Sequence, residues 1–454
     1  MSVNITFLGG ADTVTGSKFL VQHGGQSLLV DCGLFQGYKQ LRLRNWRPLP
    51  VVPGQIHAVV LTHAHLDHSG YLPLLAREGF RGRVHATPGT RDLCAILLPD
   101  SGHIQEEDAA FANRHGFSKH TPALPLYTRR DALDCLKQIH AVPFNHIFQP
   151  IRGWNASFTP AGHILGAASL LLEVAGHRIL FSGDLGRPDD LLMNPPADPP
   201  AADTVLIEST YGDRQHPPED LVAELGPALQ RLAARGGVAV VPVFAVGRAQ
   251  ALLHAIAQLK SRGAIPHGLP VFLDSPMAVH TTNLFSQHPD DHRLSSREAQ
   301  AMAHAATMVE TTDQSKALAS RHGPMVILAA SGMATGGRVL HHLALYVGNH
   351  RNMVILTGYQ SPGTRGARIA DGEKTVRIHG QDVAIQAEVV QLQSASAHAD
   401  ANQTLAWLRK MPRLPGQVYV VHGDMAASDT LRQRIEHELK WRAIVPEHGS
   451  TWPV

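Results

Sequence analysis

The chain has 454 residues, of which 44% are hydrophobic and 17% charged, enough apolar material for a folded core and for two domains. Its formal net charge of +2 excludes a uniformly basic protein, so any contact with a polyanion must come from local basic surface. No apolar run of about eighteen residues or more and no basic leader with an apolar core are present, which predicts a cytoplasmic protein without a membrane span.

The three cysteines lie far apart, without the Cys-x-x-Cys spacing of thiolate sites. They are Cys32, Cys94 and Cys135. This spacing argues against a disulfide framework and against a zinc site built from thiolates. We expect reduced, buried residues.

Residues 26–33 predict a strand that ends in a carboxylate, Asp31, followed by a glycine turn. A carboxylate at a strand end is well placed to hydrogen bond a metal-bound histidine and to fix its tautomer. The same residue also suits an ordinary turn, and the sequence favours neither alternative.

A local basic stretch follows, in which Arg42, Arg44 and Arg47 are interleaved with Trp46. It is a candidate for contact with nucleic acid. A solvated loop whose long side chains lie along the surface is the alternative of equal weight.

The densest group of metal-ligand side chains lies between residues 63 and 68. Residues 57–62 predict a buried strand and residues 69–75 the start of a helix. His63 and His65, two apart on extended backbone, point the same way, whereas Asp67 and His68 lie on the turn and can face a second point. One turn can therefore serve two metals, and imidazole with carboxylate suits zinc, with manganese or iron as alternatives.

Two later turns supply further candidate ligands. His163 lies between glycines ahead of an apolar strand, and residues 178–182 predict a buried strand followed by Gly183 and Asp184. A carboxylate with two oxygens can bridge two metals, which one imidazole nitrogen cannot do.

The sequence changes character after a predicted strand that ends at Glu208. Residues 218–236 predict an amphipathic helix, and strand-loop-helix units begin at residues 238, 325 and 353. With a further strand at 271–274, this pattern predicts a parallel α/β domain.

The loops after these strands carry glycines, hydroxyls or arginines, and the helices that follow offer free amides. Anions bind well at such edges, although ordinary turns also need glycine. Three such loops together favour phosphate, and the candidate phosphate-binding residues are Arg248, Ser331, Gly332, Arg338, Tyr359, Thr364 and Arg365.

The chain then returns to the first domain, with a strand at 389–392 ahead of His398 and a strand at 417–421 that ends at His422. The stretch between Glu208 and His398 is therefore interpreted as an insertion.

Together these motifs resemble the β-CASP branch of the metallo-β-lactamase superfamily, along essentially the whole chain. The resemblance implies an α/β protein with an αββα metallo-β-lactamase fold and an inserted parallel α/β β-CASP domain. It places the first part of the metallo-β-lactamase domain at 1–210, the insertion at 211–387 and the return segment at 388–454.

The resemblance also implies the ligand sets. One zinc is expected at His63, His65 and His163, a second at Asp67, His68 and His422, and Asp184 is expected to bridge the two. Manganese is a possible substitute.

The implied activity is hydrolysis of phosphodiester bonds in single-stranded RNA, in endonuclease or 5′-exonuclease mode, giving 5′-phosphate and 3′-hydroxyl ends. Asp67 and Asp184 act through the metals, His398 is the candidate acid for the leaving oxygen, and Glu208 would orient that ring and keep it protonated. RNA is preferred over DNA because relatives specialised for DNA usually lack a histidine where His422 stands. A homodimer is a further possibility.

Three alternatives remain open at this stage. The first is a DNA nuclease and the second is a small-molecule hydrolase of the same fold, which would not need the insertion or His398. The third, a metal-free RNA-binding scaffold, is disfavoured because every ligand position is filled.

Overall fold

The computed structural model describes residues 2–116, 118–358, 360 and 363–454. Backbone contacts divide the chain into two compact units. Unit 1 is formed by Met1–Asp190, Asn194–Gln215 and His398–Val454, and unit 2 by Leu191–Met193 and His216–Ala397. The chain thus passes between the units near residues 215 and 397, whereas the boundaries expected at 210 and 387 remain predictions.

The part of the chain before residue 216 supplies most of unit 1. Its strands are β1 (Asn4–Gly9), β2 (Lys18–His23), β3 (Gln26–Val30), β4 (Ala58–Val60), β5 (Arg83–Ala86), β6 (Ile139–Ala141), β7 (Ile147–Ile151), β8 (Trp154–Pro160), β9 (Ala168–Val174), β10 (His177–Phe181) and β11 (Thr204–Glu208). Its helices are α1 (Lys39–Arg42), α2 (Leu66–Ser69), α3 (Leu72–Arg77), α4 (Pro88–His115) and α5 (Arg129–Cys135).

Unit 2 follows. Its strands are β12 (Val238–Pro242), β13 (Val271–Asp274), β14 (Thr307–Met308), β15 (Met325–Ala329), β16 (Met353–Thr357), β17 (Thr375–Ile378), β18 (Gln381–Ala384) and β19 (Glu388–Leu392). Its helices are α6 (Leu221–Arg235), α7 (Arg248–Ser261), α8 (Pro276–Leu284), α9 (Ser296–Ala303), α10 (Thr312–Leu318), α11 (Arg338–Tyr346) and α12 (Arg365–Ala370).

The last part of the chain completes unit 1 with three strands and two α-helices among the described residues, the second α-helix being followed by a π-helical turn, Ile435–Leu439. The strands are β20 (Gln417–Val421), β21 (Ala443–Ile444) and β22 (Thr451–Pro453). The helices are α13 (Ala401–Arg409) and α14 (Met425–Arg434).

Two sheets pack face to face in unit 1. Their strand orders are β22-β1-β2-β3-β4-β5-β6 and β21-β20-β11-β10-β9-β8-β7. Phe7, Phe19 and Val60 of the first sheet share one buried core with Phe158, Phe181 and other apolar residues of the second. On the other face of the second sheet, apolar side chains pack against α13 and α14. This layering confirms the predicted α/β class with helices outside two sheets.

Unit 2 is organised around a parallel sheet of order β14-β13-β15-β12-β16-β19. Its central strands are buried on both faces, as expected for a parallel sheet covered by helices. Helix α6 begins at Leu221 rather than at residue 218, because Asp220 caps it by accepting from the Ala223 amide at 2.7 Å.

Strand β19 lies in unit 2, not in the first domain where the sequence analysis placed residues 389–392. It pairs in parallel with β16, from Met353 opposite Glu388 to Thr357 opposite Leu392. A short apolar strand carries no signal that selects its neighbour, so this pairing could not be inferred from the sequence.

Among the described residues, no helix combines the length and the apolar composition needed to cross a membrane. The 28-residue helix α4 is long enough, but it carries charged residues throughout its second half.

The segment after β3 packs tightly against the turn after β4. Backbone hydrogen bonds join Cys32 to His68 at 2.7 Å and Leu34 to Leu66 at 2.8 Å. A Cβ atom at Gly33, between them, would lie 1.6 Å from the carbonyl oxygen of Asp67. Only glycine permits this approach, which sets the position of the turn that carries four of the predicted ligands.

We expect Gly33→Ala to lower the free energy of unfolding by about 2–4 kcal/mol, because the added methyl group must displace backbone rather than a flexible side chain. Urea unfolding of the metal-free protein measures this change. Gly54→Ala is the matched control, since a Cβ there would lie 3.6 Å from its nearest neighbour, the carbonyl oxygen of Gly79, and it should alter stability by less than about 0.5 kcal/mol. Equal stabilities for the two variants would contradict this description of the turn.

Candidate metal centre

The predicted ligands of unit 1 come from strand ends at one edge of the two sheets. Strands β3 and β4 run parallel, as do β10, β11 and β20. The carboxyl ends of parallel neighbours meet at the same edge, so residues far apart in sequence become neighbours there. His422, for example, follows β20, and its Nε2 lies 3.0 Å from Nε2 of His68.

The first cluster is formed by His63, His65, His163 and Asp184. Nδ1 of His65 lies 3.2 Å from Nε2 of His63 and 3.2 Å from Nε2 of His163. The Oδ2 atom of Asp184 lies 3.4 Å from Nε2 of His63 and 3.7 Å from Nε2 of His163. Four donor atoms therefore surround one point.

The second cluster is formed by Asp67, His68 and His422. Beyond the contact between the two histidines, Nε2 of His422 lies 3.6 Å from Oδ2 of Asp67. Nε2 of His68 lies 3.2 Å from Oδ1 of Asp184, the carboxylate oxygen that does not face the first cluster. Asp184 thus presents one oxygen to each cluster.

These donor atoms fit divalent cations. A tetrahedral ion with metal–nitrogen bonds of about 2.0–2.1 Å holds its ligand nitrogens roughly 3.3 Å apart, close to the separations found here. Asp184 is 2% exposed, and its buried Oδ1 atom has no hydrogen-bond partner among the described residues. A buried carboxylate oxygen without a donor is unfavourable unless a cation compensates it.

Asp31 hydrogen bonds His68 through the ring nitrogen that faces away from the second cluster. Its Oδ2 atom lies 2.8 Å from Nδ1 of His68, and its Oδ1 atom accepts from the Thr62 amide at 2.7 Å. An ionised Asp31 requires a proton on Nδ1 of His68, which leaves Nε2 to face the cluster. Of the two alternatives open for Asp31, this geometry favours orientation of a ligand histidine.

Two threonines also orient predicted ligand histidines, and the sequence analysis missed both. The hydroxyl of Thr62 lies 3.2 Å from Nδ1 of His63, and that of Thr210 lies 3.1 Å from Nδ1 of His422. Each threonine lies within two residues of the end of a buried strand, β4 and β11 respectively. That position is the only signal in the sequence that could have identified them.

His398 and Glu208 form a third group beside Asp184. Nδ1 of His398 lies 3.0 Å from Oε1 of Glu208. Glu208 also accepts from the backbone amides of Leu185 at 2.8 Å and Thr210 at 3.1 Å, which fixes its carboxylate. The side chain of His398 keeps 15% of its surface exposed, whereas that of Glu208 keeps 2%.

The two histidine clusters differ in their proton affinity. Burial lowers the pKa of His63 well below its usual value and that of His65 to about 4, and neighbouring imidazoles lower both further. Burial also opposes protonation of His68 and His422, but nearby carboxylates outweigh it, led by Asp184, and the pKa of each ring is raised. In the metal-free protein the rings of His63 and His65 are therefore neutral, whereas those of His68 and His422 bind protons more readily.

The candidate phosphate-binding arginines of unit 2 have partners within that unit. Arg338 donates to the buried carboxylate of Asp274 at 2.7 Å and to the carbonyl of Glu310 at 2.8 Å. Arg248 donates to the Thr357 carbonyl, and Arg365 donates to three carbonyls, of which the nearest is that of Arg377 at 2.6 Å.

The other unit 2 candidates are hydroxyl residues, a glycine and a tyrosine. The Ser331 hydroxyl lies 3.0 Å from that of Thr335, Thr364 caps α12, and a Cβ at Gly332 would meet the Phe244 ring at 2.5 Å. Tyr359 lies outside the described residues. A role in phosphate binding therefore remains a prediction for all seven candidates.

Three family models match this chain. The "Metallo-beta-lactamase superfamily" matches residues 12–91, the "Beta-Casp domain" residues 249–369, and the "Zn-dependent metallo-hydrolase RNA specificity domain" residues 382–446. Together they include ligands of both clusters and most of unit 2.

Curated relatives are similar over nearly the whole chain. "Ribonuclease TTHA0252" of Thermus thermophilus is 37% identical, with 93% of each chain covered. "Transcription termination factor FttA" of Methanosarcina mazei is 30% identical over 96% of this chain and 69% of its own. "Integrator complex subunit 11" of Gallus gallus is 28% identical over 99% of this chain and 73% of its own.

A solved structure of a protein of unknown function from Enterococcus faecalis covers 100% of both chains with a TM-score of 0.54. At 16% identity this likeness shows the fold alone.

Acidification is expected to release the ion of the second cluster at a higher pH than that of the first, because protons compete for His68 and His422 but only weakly for His63 and His65. Metal content after gel filtration at stepwise lower pH measures the order. His422→Ala should abolish the metal release seen at the higher pH, and His163→Ala should leave that release unchanged. If His422→Ala instead abolished the release seen at the lower pH, the first cluster would be the one that loses its ion first.

Proposed function

The chain belongs to the β-CASP branch of the metallo-β-lactamase superfamily, and from this premise we propose that it is a zinc-dependent ribonuclease acting on single-stranded RNA. The observation that carries the proposal is that Asp184 presents one carboxylate oxygen to each cluster, Oδ2 to His63 and Oδ1 to His68, with His398 beside it. The names of the relatives, a ribonuclease among them, support RNA as the substrate.

The charge of the site favours an anionic substrate. Two divalent cations would bring four positive charges to a centre whose ligands include two carboxylates, Asp67 and Asp184. The surplus positive charge attracts a phosphodiester more strongly than a neutral lactam or ester. When bound, such a pair of ions activates water and neutralises charge on the phosphoryl oxygens.

The residues of the chain hold this centre in a fixed geometry. Glycines at the turns allow close backbone packing, and Asp31, Thr62 and Thr210 orient the ligand rings. Because Asp31 and Thr62 are buried and Thr210 is partly buried, little reorganisation is needed when charge develops on the substrate.

His398 is proposed as the residue that protonates the leaving oxygen. Its Nδ1 faces Glu208, so Nε2 is the atom that would donate the proton. Hydrolysis would form a bond between water oxygen and phosphorus and break the bond from phosphorus to the 3′-oxygen, which takes the proton. The products are a 5′-phosphate and a 3′-hydroxyl.

Digestion of one RNA sequence labelled separately at its 5′ and 3′ ends tests the function and its mode. Internal cuts from both labels indicate an endonuclease, and stepwise loss from the 5′ end indicates a 5′-exonuclease. The same sequence as DNA, and p-nitrophenyl acetate as an ester, cover the two alternative activities. Faster turnover of either than of RNA would contradict the proposal.

We expect His398→Ala to lower kcat on RNA by about 10²–10⁴-fold, because it removes the proton donor and leaves the ligands intact. The loss should shrink to less than about tenfold with bis(p-nitrophenyl) phosphate, whose leaving group needs no proton. Steady-state kinetics with both substrates measure the difference.

The matched control is His103→Ala, an exposed histidine of α4, which should cut RNA like the parent. Asp184→Ala should lose activity on both substrates together with bound metal. An equal loss on both substrates in His398→Ala would argue against proton donation by this residue.

A further inference from the structure

A short segment of unit 1 exposes aromatic rings among cations. Residues 38–47, here called the basic-aromatic segment, comprise α1 and the short 3₁₀ helix Leu43–Trp46. Tyr38 is 55% exposed and Trp46 is 58% exposed. The cationic residues of the segment are Lys39, Arg42, Arg44 and Arg47, and it contains no acidic residue.

Within the described part of the chain, these four cations have no counter-ion. No carboxylate of the described residues lies within ion-pair distance of any of them. Some exposed arginines elsewhere in unit 1 do pair with neighbouring acids, as Arg130 does with Asp134 and Arg434 with Glu438. The positive charge of the segment is therefore uncompensated.

The backbone that carries the exposed rings is held in place by hydrogen bonds between Asn45 and Phe35. The buried Asn45 side chain accepts from the Phe35 amide at 2.9 Å and donates to the Phe35 carbonyl at 2.8 Å. The guanidinium of Arg44 lies over the Phe35 ring, 5.4 Å from its centroid. Trp46, next to this anchor, is thus held out toward solvent rather than packed.

The anchor lies close to the metal centre along the chain and in space. Phe35 follows Leu34, whose amide donates to the carbonyl of Leu66, and Gly33 packs against the carbonyl of the predicted ligand Asp67. The chain that leads into the segment therefore packs directly against the turn that carries His63, His65, Asp67 and His68.

The surroundings of the anchor are also positive. His448 packs edge-on against Phe35, at 5.9 Å between centroids. Burial lowers the pKa of this imidazole, and the charges of Arg44, Lys18 and Arg47 lower it further, against an opposing contribution from Asp12.

We propose that the basic-aromatic segment is a stacking platform for single-stranded RNA next to the cleaved bond, and this rests on the ribonuclease function proposed above. Bases stack on Trp46 and Tyr38, and Arg42, Arg47 and Lys39 contact the adjoining phosphates. Every base has a π face, so such a platform binds RNA without sequence preference. The uncompensated cations favour a polyanion over an apolar partner.

Kinetics on a 20-nucleotide RNA test the platform in the metal-loaded enzyme. Trp46→Ala should raise KM about tenfold, because a stacked base is worth about 1–3 kcal/mol, and kcat should change less than KM. Trp46→Tyr should restore KM to within about threefold of the parent. Arg42→Glu combined with Arg47→Glu should reduce the slope of log KM against log salt by about 1.4, as expected for two lost phosphate contacts.

Two variants on α4 serve as matched controls. Phe111→Ala and Arg114→Glu change exposed residues in the last turns of α4. At a rise of about 1.5 Å per residue, these turns lie roughly 35 Å from the first turn of the same helix. Both should leave KM and the salt slope unchanged.

Tryptophan fluorescence gives a second measurement, because Trp46 is 58% exposed, whereas Trp154 and Trp407 are buried and Trp441 and Trp452 are partly buried. In a His398→Ala background, RNA should quench this fluorescence, and the quenching should vanish in Trp46→Phe.

Unchanged KM and quenching in the segment variants, with the parent cutting RNA, would overturn the platform alone. A parent that does not cut RNA would overturn the proposed function. A dimer that dissociates in the segment variants at unchanged KM would show instead that the segment joins two copies of the chain.

Discussion

The buried carboxylate of Asp184, placed between two groups of imidazoles, is the interaction on which the rest of unit 1 depends. An ionised group at 2% exposure is costly unless charge or hydrogen bonds compensate it. Its pKa lies well below the usual range despite burial, because His422, His68 and His63 stabilise the ionised form. Imidazole nitrogens only 3.0–3.2 Å apart cannot all donate to one another, so the arrangement suits cations.

The sequence was sufficient for the local part of this centre. His63 and His65 are separated by one residue on extended backbone, so their shared direction follows from the period of a strand. The long-range part of the centre was predicted from the resemblance to the metallo-β-lactamase superfamily. Asp184 and His422 follow β10 and β20, which belong to a parallel set whose carboxyl ends meet at one edge. His163 follows β8, which is antiparallel to both neighbours, and His398 follows β19 of unit 2, so strand order alone would not have placed either of them.

Other features depended on neighbours that the sequence does not specify. Arg338 follows a glycine-rich loop, as a phosphate ligand would, yet it donates to Asp274, 64 residues earlier. Asp31 was equally suited to a turn until His68 and Thr62 were placed beside it. The sequence shows that a side chain can form hydrogen bonds, but only the folded structure shows which partner lies within reach.

The basic-aromatic segment shows the opposite case. Its sequence was ambiguous between a nucleic-acid contact and a solvated loop, and burial separates the two: Asn45 is 7% exposed while Trp46 beside it is 58% exposed. An anchored loop that exposes aromatic rings and cations suits the stacking of bases and the binding of phosphates, as proposed above for single-stranded RNA. The anchor of this loop packs beside the metal centre, so the same part of the fold would position both the ligands and the RNA.

Anomalous diffraction from crystals of the purified protein, recorded above and below the zinc absorption edge, tests the central claim most directly. The account predicts two peaks about 3.5–4 Å apart, one bonded to His63, His65 and His163, the other to Asp67, His68 and His422, with Asp184 reaching both. A metal-free site in crystals grown with zinc, or a single peak away from Asp184, would contradict it.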